Sequence, residues 1–449
     1  MTFGSCVAII QKLLAAKRPR LISESAPVRS RQFLLEPRYP LKSPPSVTLY
    51  EMATGVVPQW GDWIITRSLR VRATQCRLAT SAASIALVQA CRRIKLALAH
   101  FRSRAYLIVM ETIQVRALAA SKAKGKLEPF EFSLGSLAAD QVDIKVQYCG
   151  ICHSDLSMLN NEFGFTQYPF VPGHEAVGVI TAKGDHVPKL EVGQTVGLGW
   201  FSGSCMACSS CLAGDHNHCT SVEQTIVGRH GAYATHVRCH WVWATPIPQN
   251  VDHRSAGPLF CGGITVFNPI IQHDISPLAR VGVIGIGGLG HLALQFLRHW
   301  GCEVYAFTST DSKREEAVRL GAHQVINSRH DDELSKIRGA LDMILVTVSV
   351  PLNWAAYFDC LAPKGVLHFV GVVPEPVSVI PITLILGQKS VSGTPLGSPS
   401  NTRRMIEFCA RHQIAPVIEA FPMSRANEAL EHLEAGKARY RIVLENDLT

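Results

Sequence analysis

The stretch "ARVGVIGIGGLGHLALQFLRHWG", residues 279–301, decides the fold of this chain. A continuous apolar run leads into a glycine-rich turn, and an apolar helical repeat follows the turn. Glycines at this spacing permit a tight turn and let backbone N–H groups approach a pyrophosphate at a helix N-terminus. The later apolar runs EVYAF, DMILVTV and VLHFVGV supply further strands, so the pattern predicts a doubly wound parallel sheet that binds a dinucleotide. The predicted cofactor-binding residues of the turn are Gly285, Gly287, Gly288, Leu289 and Gly290.

The end of the next strand predicts which dinucleotide is bound. A chain that binds the unphosphorylated cofactor usually carries an acidic residue about 20 residues after the turn. Here the strand ends in hydroxyl groups followed by a lysine, and this combination suits a ribose 2′-phosphate, so we predict NADP(H) rather than NAD(H). Asp311 opposes this prediction, but it precedes a helical run and we interpret it as a helix N-cap. The residues assigned to the phosphate are Thr308, Ser309, Thr310 and Lys313.

A second segment, "SGSCMACSSCLAGDHNHCTS" at residues 202–221, is rich in cysteine. The spacing C-x2-C-x2-C-x7-C can bring four thiolates around one zinc ion at about 2.3 Å. Disulfides are the alternative, but the chain shows no convincing secretory signal and metal is the better interpretation. His216 and His218 could also be ligands, although we interpret them as solvated loop residues because four sulfurs fill the shell. The predicted ligands of this lobe are Cys205, Cys208, Cys211 and Cys219.

A closed shell of four ligands does no chemistry, so the cysteine lobe is predicted to be structural. A second set of metal-binding side chains comes from "YCGICHSDLSML", "FVPGHEAVGVI" and "GPLFCGGITVF". Two sulfurs and one imidazole would leave a fourth position open, as a catalytic zinc requires. These residues are Cys152, His174 with Glu175 beside it, and Cys261. The remaining cysteines from residue 110 onward are interpreted as buried or isolated thiols: Cys149, Cys239, Cys302, Cys360 and Cys409.

Charge and hydropathy exclude two classes of partner. The chain has 449 residues and a net charge of +9, but residues 1–109 hold 17 Lys and Arg against 4 Asp and Glu. The remainder carries 27 basic and 31 acidic residues, and residues 202–221 contain no Lys or Arg, which argues against a nucleic-acid-binding zinc ribbon. No run approaches the roughly 18 apolar residues that span a bilayer. We therefore expect neither a nucleic-acid partner nor a membrane.

The periodicity of apolar residues in the sequence changes at Met110. Residues 1–109 lack sustained periodicity, whereas short alternating strands split by turns follow from Met110 onward. Three interpretations of residues 1–109 compete: an organelle-targeting presequence, a basic binding arm, or a stretch translated ahead of the true start at Met110. We favour the third, because a presequence is usually shorter and forms a clearer amphipathic helix.

The segments "CGICHSD", "PGHEAVG", "PLFCGGIT" and "GVIGIGGLGH", together with the cysteine lobe, resemble the zinc-containing medium-chain alcohol dehydrogenases, and most of all their cinnamyl-alcohol-dehydrogenase-type branch. The resemblance implies an α/β fold with a GroES-like, β-rich catalytic domain and an inserted Rossmann domain. The resemblance covers Met110 to the end and implies the catalytic domain at 110–262, the Rossmann domain at 263–399 and a C-terminal return at 400–449, after the extension at 1–109 that we expect to be disordered or mis-started. It also implies a homodimer that pairs through "VSVIPITLILGQKSVSGT".

The family assigns roles to residues around the second metal set. Ser154 would be the first proton carrier, and Asp155 would orient His174 through its second ring nitrogen. Glu175 would lie behind the metal as a supporting or transient ligand, and His153 would approach the cofactor phosphates. One departure is Ser157, because many relatives have a histidine there that relays the proton to water; solvent, the cofactor ribose or another side chain would complete the relay. Weaker assignments near the nicotinamide are Thr265 and Thr347, whose hydroxyls could equally be bonded to the backbone.

The resemblance implies a zinc-dependent alcohol dehydrogenase or aldehyde reductase. Zinc would lower the pKa of a bound primary alcohol, and hydride would pass to NADP(H). One catalytic and one structural zinc per subunit, small-molecule alcohols and aldehydes as substrates, and a cytoplasmic location are expected. The alternative is a non-catalytic nucleotide-binding protein on the same fold, and the intact ligand set argues against it.

Overall fold

The computed structural model describes residues 112–448, so the predicted extension at 1–109 lies outside the described residues. The described chain contains seventeen strands and ten α-helices. The strands before the glycine turn are β1 (Ile113–Ala119), β2 (Glu128–Leu134), β3 (Gln141–Ile151), β4 (Ala176–Lys183), β5 (Thr195–Leu198), β6 (Phe201–Gly203), β7 (Glu223–Gln224), β8 (His236–His240) and β9 (Thr245–Pro246). The later strands are β10 (Arg280–Ile284), β11 (Glu303–Thr308), β12 (Gln324–Asn327), β13 (Leu341–Val346), β14 (Leu361–Phe369), β15 (Ser390–Gly393), β16 (Ile418–Pro422) and β17 (Arg441–Glu445).

The helices fall mainly in the second half of the chain. They are α1 (His153–Leu159), α2 (Ser209–Leu212), α3 (Gly262–Gln272), α4 (Gly290–Trp300), α5 (Arg314–Arg319), α6 (Asp331–Lys336), α7 (Trp354–Cys360), α8 (Pro381–Gly387), α9 (Pro399–His412) and α10 (Ala426–Glu434). Within residues 112–448, every helix is too short or too polar to span a lipid bilayer.

Six strands form a parallel sheet in the order β12-β11-β10-β13-β14-β15. The apolar side chains of the central strands β10, β11 and β13 are buried, as expected for strands covered on both faces by helices. The strand order reverses between β10 and β13, and open parallel sheets bind ligands at such a point, beyond the carboxyl ends of the strands. The predicted doubly wound parallel sheet is confirmed, and the glycine turn lies at its switch point.

The glycine turn owes its shape to two positions. Gly285 has a φ of +93°, a left-handed conformation that strains residues with a Cβ atom. A Cβ atom at Gly290 would lie 1.8 Å from the carbonyl oxygen of Gly285, so a side chain there would push α4 away from the turn. The glycines therefore hold the start of α4 close against the end of β10.

The second large sheet has seven strands, in the order β16-β17-β3-β4-β5-β9, with β8 paired to β3. Strand β17 runs antiparallel to β3, so that Leu444 lies opposite Cys149 and Ile442 opposite Ile151. The last part of the chain thus returns to complete a sheet built mainly from residues 141–246. The GroES-like plus Rossmann α/β architecture predicted from the sequence is confirmed.

Candidate active site

Three separated segments bring the second set of metal-binding side chains together. Cys152 caps α1 directly after β3, His174 and Glu175 precede β4, and Cys261 caps α3. One ligand atom from each of these four residues lies within 4.8 Å of every other. The Sγ atoms of Cys152 and Cys261 are 3.8 Å apart, and Nε2 of His174 is 3.4 Å from Sγ of Cys261. The fold therefore converges two thiols, an imidazole and a carboxylate on one point.

Asp155 holds this cluster in shape and is fully buried. Its Oδ1 accepts hydrogen bonds from Nδ1 of His174 at 2.8 Å and from the backbone N–H of Gly173 at 2.9 Å. Its Oδ2 accepts from the backbone N–H of Cys152 at 3.0 Å. Because a carboxylate only accepts, Nδ1 of His174 carries the proton and Nε2 is left with a lone pair for a metal.

Behind the cluster, Glu175 forms a buried ion pair with Arg441, the first residue of β17. Arg441 also donates to the carbonyl of Ile151 at 3.4 Å. Burial raises the pKa of Glu175 even though the Arg441 guanidinium opposes that rise. The second oxygen of Glu175 is buried and has no hydrogen-bond partner within residues 112–448. An orphaned carboxylate oxygen beside two sulfurs and an imidazole is what a metal cation would satisfy.

The pKa values of the Cys152 and Cys261 thiols shift in opposite directions. The hydrogen bond from Cys261 holds the pKa of Cys152 well below the usual range, and burial opposes this. The same hydrogen bond and burial raise the pKa of Cys261. Burial alone would lower the pKa of His174, but the Asp155 carboxylate raises it well above its ordinary value. Sulfur and nitrogen donors in this number suit zinc, with a fourth position left for an exchangeable ligand, so the residues present fit a catalytic zinc.

An aromatic wall lies beside the cluster. The indole of Trp200 contacts the His174 ring edge to face, with ring centroids 4.9 Å apart. A small cavity next to it is lined by Trp200, Phe201, Trp243, Phe260, Ile264 and Leu396, among others. Phe163 is buried in the core, where its ring stacks on that of Phe165 with centroids 5.7 Å apart.

The cysteine lobe forms a separate cluster. The Sγ atoms of its four cysteines all lie within 4.8 Å of one another. Backbone N–H groups of Ala207 and Cys208 lower the pKa of the Cys205 thiol to about 6, so the thiolate is favoured. His216 and His218 are not part of the cluster: His218 is exposed, and His216 is hydrogen-bonded to Ser204 at 3.2 Å. The lobe fits a closed Cys₄ zinc site.

The predicted cofactor residues fall into two groups. Thr347 donates to the carbonyl of Ile284 at 2.8 Å, and Thr308 to that of Thr310 at 3.0 Å, so both hydroxyls support the backbone. Thr265 is buried, whereas Ser309 and Thr310 are exposed at the end of β11, as is His153 at the start of α1. Space is open beside Gly287, where an added Cβ atom would meet nothing within 4 Å. The turn is therefore a cradle that fits a pyrophosphate.

The interpretation of Asp311 as a helix N-cap is wrong. Asp311 begins a 3₁₀ turn, Asp311–Lys313, which is capped by Thr310, and its carboxylate pairs with Arg314 at 2.7 Å, while Lys313 is the N-cap of α5. The physical reason is that an arginine three residues away offers a charged partner to the carboxylate. Lys313 makes only a long contact of 3.5 Å with the carbonyl of Ile286, which brings its ammonium close to the glycine turn.

The sequence did not point to Arg441 or to His291, although both lie next to the turn or the metal cluster. Arg441 is 266 residues from Glu175 along the chain, and an isolated arginine in a C-terminal strand carries no signal of its own. Its side chain would contact a Cβ atom added at Gly288, at 3.2 Å.

The five cysteines that the sequence analysis interpreted as buried or isolated thiols are all buried.

Comparison with known proteins agrees with this geometry. The alcohol dehydrogenase GroES-like domain family matches residues 138–249, and the zinc-binding dehydrogenase family matches residues 288–411. Aldehyde reductase AdhA of Synechocystis sp. is 53% identical over 330 residues, which are 74% of this chain and 98% of that protein. Cinnamyl alcohol dehydrogenase 7 of Arabidopsis thaliana is 38% identical, covering 73% of this chain and 94% of that protein.

Solved structures give the same result. A cinnamyl alcohol dehydrogenase of Sorghum bicolor superposes with a TM-score of 0.70 and 34% identity over 74% of this chain and 98% of that one. A cinnamyl alcohol dehydrogenase of Helicobacter pylori, solved with NADP(H), has a TM-score of 0.68 and 28% identity over 74% of this chain and 98% of that one. The fold and site define a zinc-binding dehydrogenase. The chain belongs to the zinc-containing medium-chain alcohol dehydrogenases, in their cinnamyl-alcohol-dehydrogenase-type branch.

Proposed function

We propose that this protein is a zinc-dependent alcohol dehydrogenase or aldehyde reductase that exchanges hydride between primary alcohols or aldehydes and NADP(H). One observation carries the proposal: Cys152, His174 and Cys261 converge from three segments, and Gly262, the neighbour of Cys261, packs against Leu289 of the glycine turn at the sheet switch point. Zinc held by these residues supplies a Lewis acid for the substrate oxygen, and NADP(H) supplies or accepts the hydride.

The chain's own residues prepare the site. Asp155 fixes the tautomer of His174 through the 2.8 Å hydrogen bond to Nδ1. Arg441 holds one oxygen of Glu175, and the other has no hydrogen-bond partner among the described residues. Trp200 packs edge to face against the His174 ring, which is fully buried. Together these contacts hold the donor set in one arrangement before substrate binds, so little reorganisation is needed.

We assign the first proton transfer to the hydroxyl of Ser154, which follows Cys152 by two residues and is partly exposed. Ser157 does not continue the proton relay outward from Ser154, because it is buried and its hydroxyl has no partner within residues 112–448. Solvent, the cofactor ribose or another side chain would then take the proton onward from Ser154.

Preference for NADP(H) rests on the end of β11. Asp311, the acid that would favour an unphosphorylated ribose, is engaged by Arg314, while Ser309 and Thr310 are exposed. Lys313 has no ion pair within the described residues and lies close to the turn, where its charge suits a 2′-phosphate. We therefore assign Ser309, Thr310 and Lys313 to phosphate recognition and Thr308 to support of the loop.

The test is steady-state reduction of cinnamaldehyde and benzaldehyde by the full chain with NADPH and NADH in parallel. We expect turnover that favours NADPH and is abolished by a zinc chelator. Lys313→Ala should raise KM for NADPH about tenfold and leave KM for NADH unchanged. Lys336→Ala is the matched control, because Lys336 is an exposed lysine paired with Asp332 on α6. Preference for NADH would overturn the cofactor assignment, and no turnover from folded, zinc-loaded protein would favour the non-catalytic alternative.

We propose the domain division on the basis of the two large sheets. Strands between residues 141 and 246 and the returning strands β16 and β17 support a catalytic domain at 110–262 and 400–449. Strands β10 to β15 support a cofactor domain at 263–399.

We also propose a cytoplasmic location, because none of the eleven cysteines between residues 112 and 448 forms a disulfide. Imaging of a fluorescent fusion to the full chain would test the location.

We further propose a homodimer that pairs through β15. Among residues 112–448, this strand is at the edge of the six-stranded sheet and is bonded only to β14. The neighbouring helix α8 exposes apolar side chains: Ile382 is 51% exposed, Ile385 67% and Leu386 81%. An open edge beside an apolar surface suits a self-complementary interface. Light scattering on the purified protein should give a dimer mass, and Leu386→Asp should shift it toward the monomer; a monomeric parent protein would contradict the proposal.

A further inference from the structure

His291 follows the glycine turn at the start of α4 and is completely buried. Its Nδ1 lies 3.0 Å from the carbonyl oxygen of Gly287, and its backbone N–H donates to the same oxygen at 3.1 Å. Its Nε2 lies 3.3 Å from the backbone nitrogen of Val417, just before β16. A carbonyl accepts and an N–H donates, so only the neutral imidazole protonated at Nδ1 can make both contacts.

The contact with Gly287 sets the orientation of the turn. In a trans peptide the carbonyl and the following N–H point in opposite directions. Because His291 holds the Gly287 carbonyl toward α4, the N–H of Gly288 faces away from the helix. The N–H groups of Gly288 and Leu289 donate to no carbonyl between residues 112 and 448. These two donors are therefore available to an anion on the open side of the turn.

The contact with Val417 ties the turn to the C-terminal return. The carbonyl of Val417 accepts from the backbone N–H groups of Tyr440 and Arg441, each at 3.1 Å. The Tyr440 ring stacks on the His291 ring with centroids 4.9 Å apart and planes inclined by 12°. One imidazole thus joins the glycine turn to the segment that carries Arg441, the partner of Glu175 behind the metal cluster.

We propose that His291 is a positioning residue for the cofactor: its imidazole clamps the Gly287 carbonyl and seats the turn on Val417, so that the N–H groups of Gly288 and Leu289 face the cofactor pyrophosphate. This inference rests on the proposed use of a dinucleotide. It adds His291 to the residues that position the cofactor, and His291 acts through the backbone of the glycine turn.

The chemistry of the site keeps His291 neutral in the working range of pH. Burial lowers the pKa of His291 to about 4, and the nearby charge of Arg441 acts in the same direction. The hydrogen bond to Gly287 opposes this shift but does not overcome it. The acceptor at Nε2 therefore persists at neutral pH, and the clamp needs no change of protonation when cofactor binds.

Two variants separate the two contacts. The amide nitrogen of His291→Asn reaches the position of Nδ1 and keeps a donor for Gly287, while His291→Gln reaches the position of Nε2 and loses that donor. We would measure the Kd for NADPH by titration calorimetry on the zinc-loaded full chain. His291→Gln should weaken binding about fivefold to tenfold and His291→Asn less than about threefold, as expected for the loss or retention of one hydrogen bond. In kinetics, the effect should fall on KM for NADPH more than on kcat.

His368→Gln is the matched control, because His368, which lies in β14, is likewise a fully buried histidine and bonds to Ser392 at 2.8 Å. It should lower the melting temperature without changing Kd. Equal weakening by His291→Asn and His291→Gln, or loss of melting temperature with Kd unchanged in both, would overturn the inference. If the native protein binds neither NADPH nor NADH, the proposed function fails as well.

A measurement on the unmodified protein covers the case in which His291→Gln does not fold. Hydrogen exchange should show that NADPH protects the peptide containing Val417 together with the peptide containing residues 285–291, because the clamp joins them. Protection of the turn with no change at Val417 would contradict the clamp while leaving cofactor binding intact.

Discussion

Both metal-binding clusters of this protein contain cysteine sulfurs, but their ligands come from differently arranged parts of the chain. The cysteine lobe collects four sulfurs from residues 205–219, one short stretch of chain. The second cluster collects Cys152 from the end of β3, His174 from the segment before β4 and Cys261 from the start of α3. The first is local and closed, and the second depends on the whole fold.

The supporting contacts differ in the same manner. In the lobe, backbone N–H groups of the same loop point at the sulfurs, as from Cys208 to Cys205 at 3.4 Å and from Ser221 to Cys219 at 3.4 Å. The second cluster needs the carboxylate of Asp155 and the buried pair of Glu175 with Arg441. In a closed shell, four ligands complete the coordination of the metal. An open shell has an incomplete set of ligands, and it needs further side chains to hold that set in place.

Removal of one sulfur from each cluster gives the largest expected difference. Cys261→Ala should reduce aldehyde turnover about a thousandfold or more, because the substrate oxygen loses its Lewis acid, while the melting temperature stays close to that of the parent protein. Cys211→Ala should lower the melting temperature by several degrees and reduce turnover far less at low temperature. Kinetics, metal analysis and calorimetry on both proteins make the comparison.

Each variant should lose one zinc ion per chain. Equal loss of activity with both substitutions, or unfolding of Cys261→Ala, would contradict the division into a catalytic and a structural cluster.

The buried ion pair behind the open cluster gives the next largest effect. Arg441→Met should destabilise the fold by about 3–5 kcal/mol, because it leaves the buried Glu175 carboxylate without its cation. The double variant with Glu175→Gln should recover part of this loss. Urea unfolding measures both. Arg254→Met is the control, since Arg254 pairs with Glu445 at the surface with 52% and 42% of the side chains exposed, and it should cost less than about 1 kcal/mol.

Asp155→Asn tests the orientation of His174. The amide can still contact the cluster, but it cannot favour the same tautomer by charge, so affinity for the exchangeable zinc should fall about 10- to 100-fold. Competition with a chromogenic chelator gives this affinity, and the zinc of the cysteine lobe serves as an internal reference. Unchanged affinity would mean that the fold alone orients His174.

The smallest effect is expected in the lobe. His216→Ala removes one hydrogen bond to Ser204 and no metal ligand, so stability should change by about 1 kcal/mol or less and zinc content should not change. Loss of one zinc ion would show that His216 is a ligand and that the lobe is not a pure sulfur shell.

Predictions from the sequence succeeded where the signal is local. The glycine turn, the strands around it and the four-cysteine spacing were all identified from contiguous residues, and the fold class followed from them. The residues of the open cluster were proposed from their donor types in three separate segments, and the structure brings Cys152, His174, Glu175 and Cys261 together. The interpretation of Asp311 failed because its arginine partner competes with the helix terminus.

The sequence alone determined the nucleotide cradle and the closed lobe, because a few residues of chain bring their glycines or thiols together whatever the rest of the molecule does. Only the tertiary structure decided which side chains support the open cluster. Arg441 meets Glu175 across 266 residues, and His291 meets Val417 across 126. Both contacts exist because β17 returns to pair with β3, and pairing of strands so far apart along the chain depends on the packing of the complete fold.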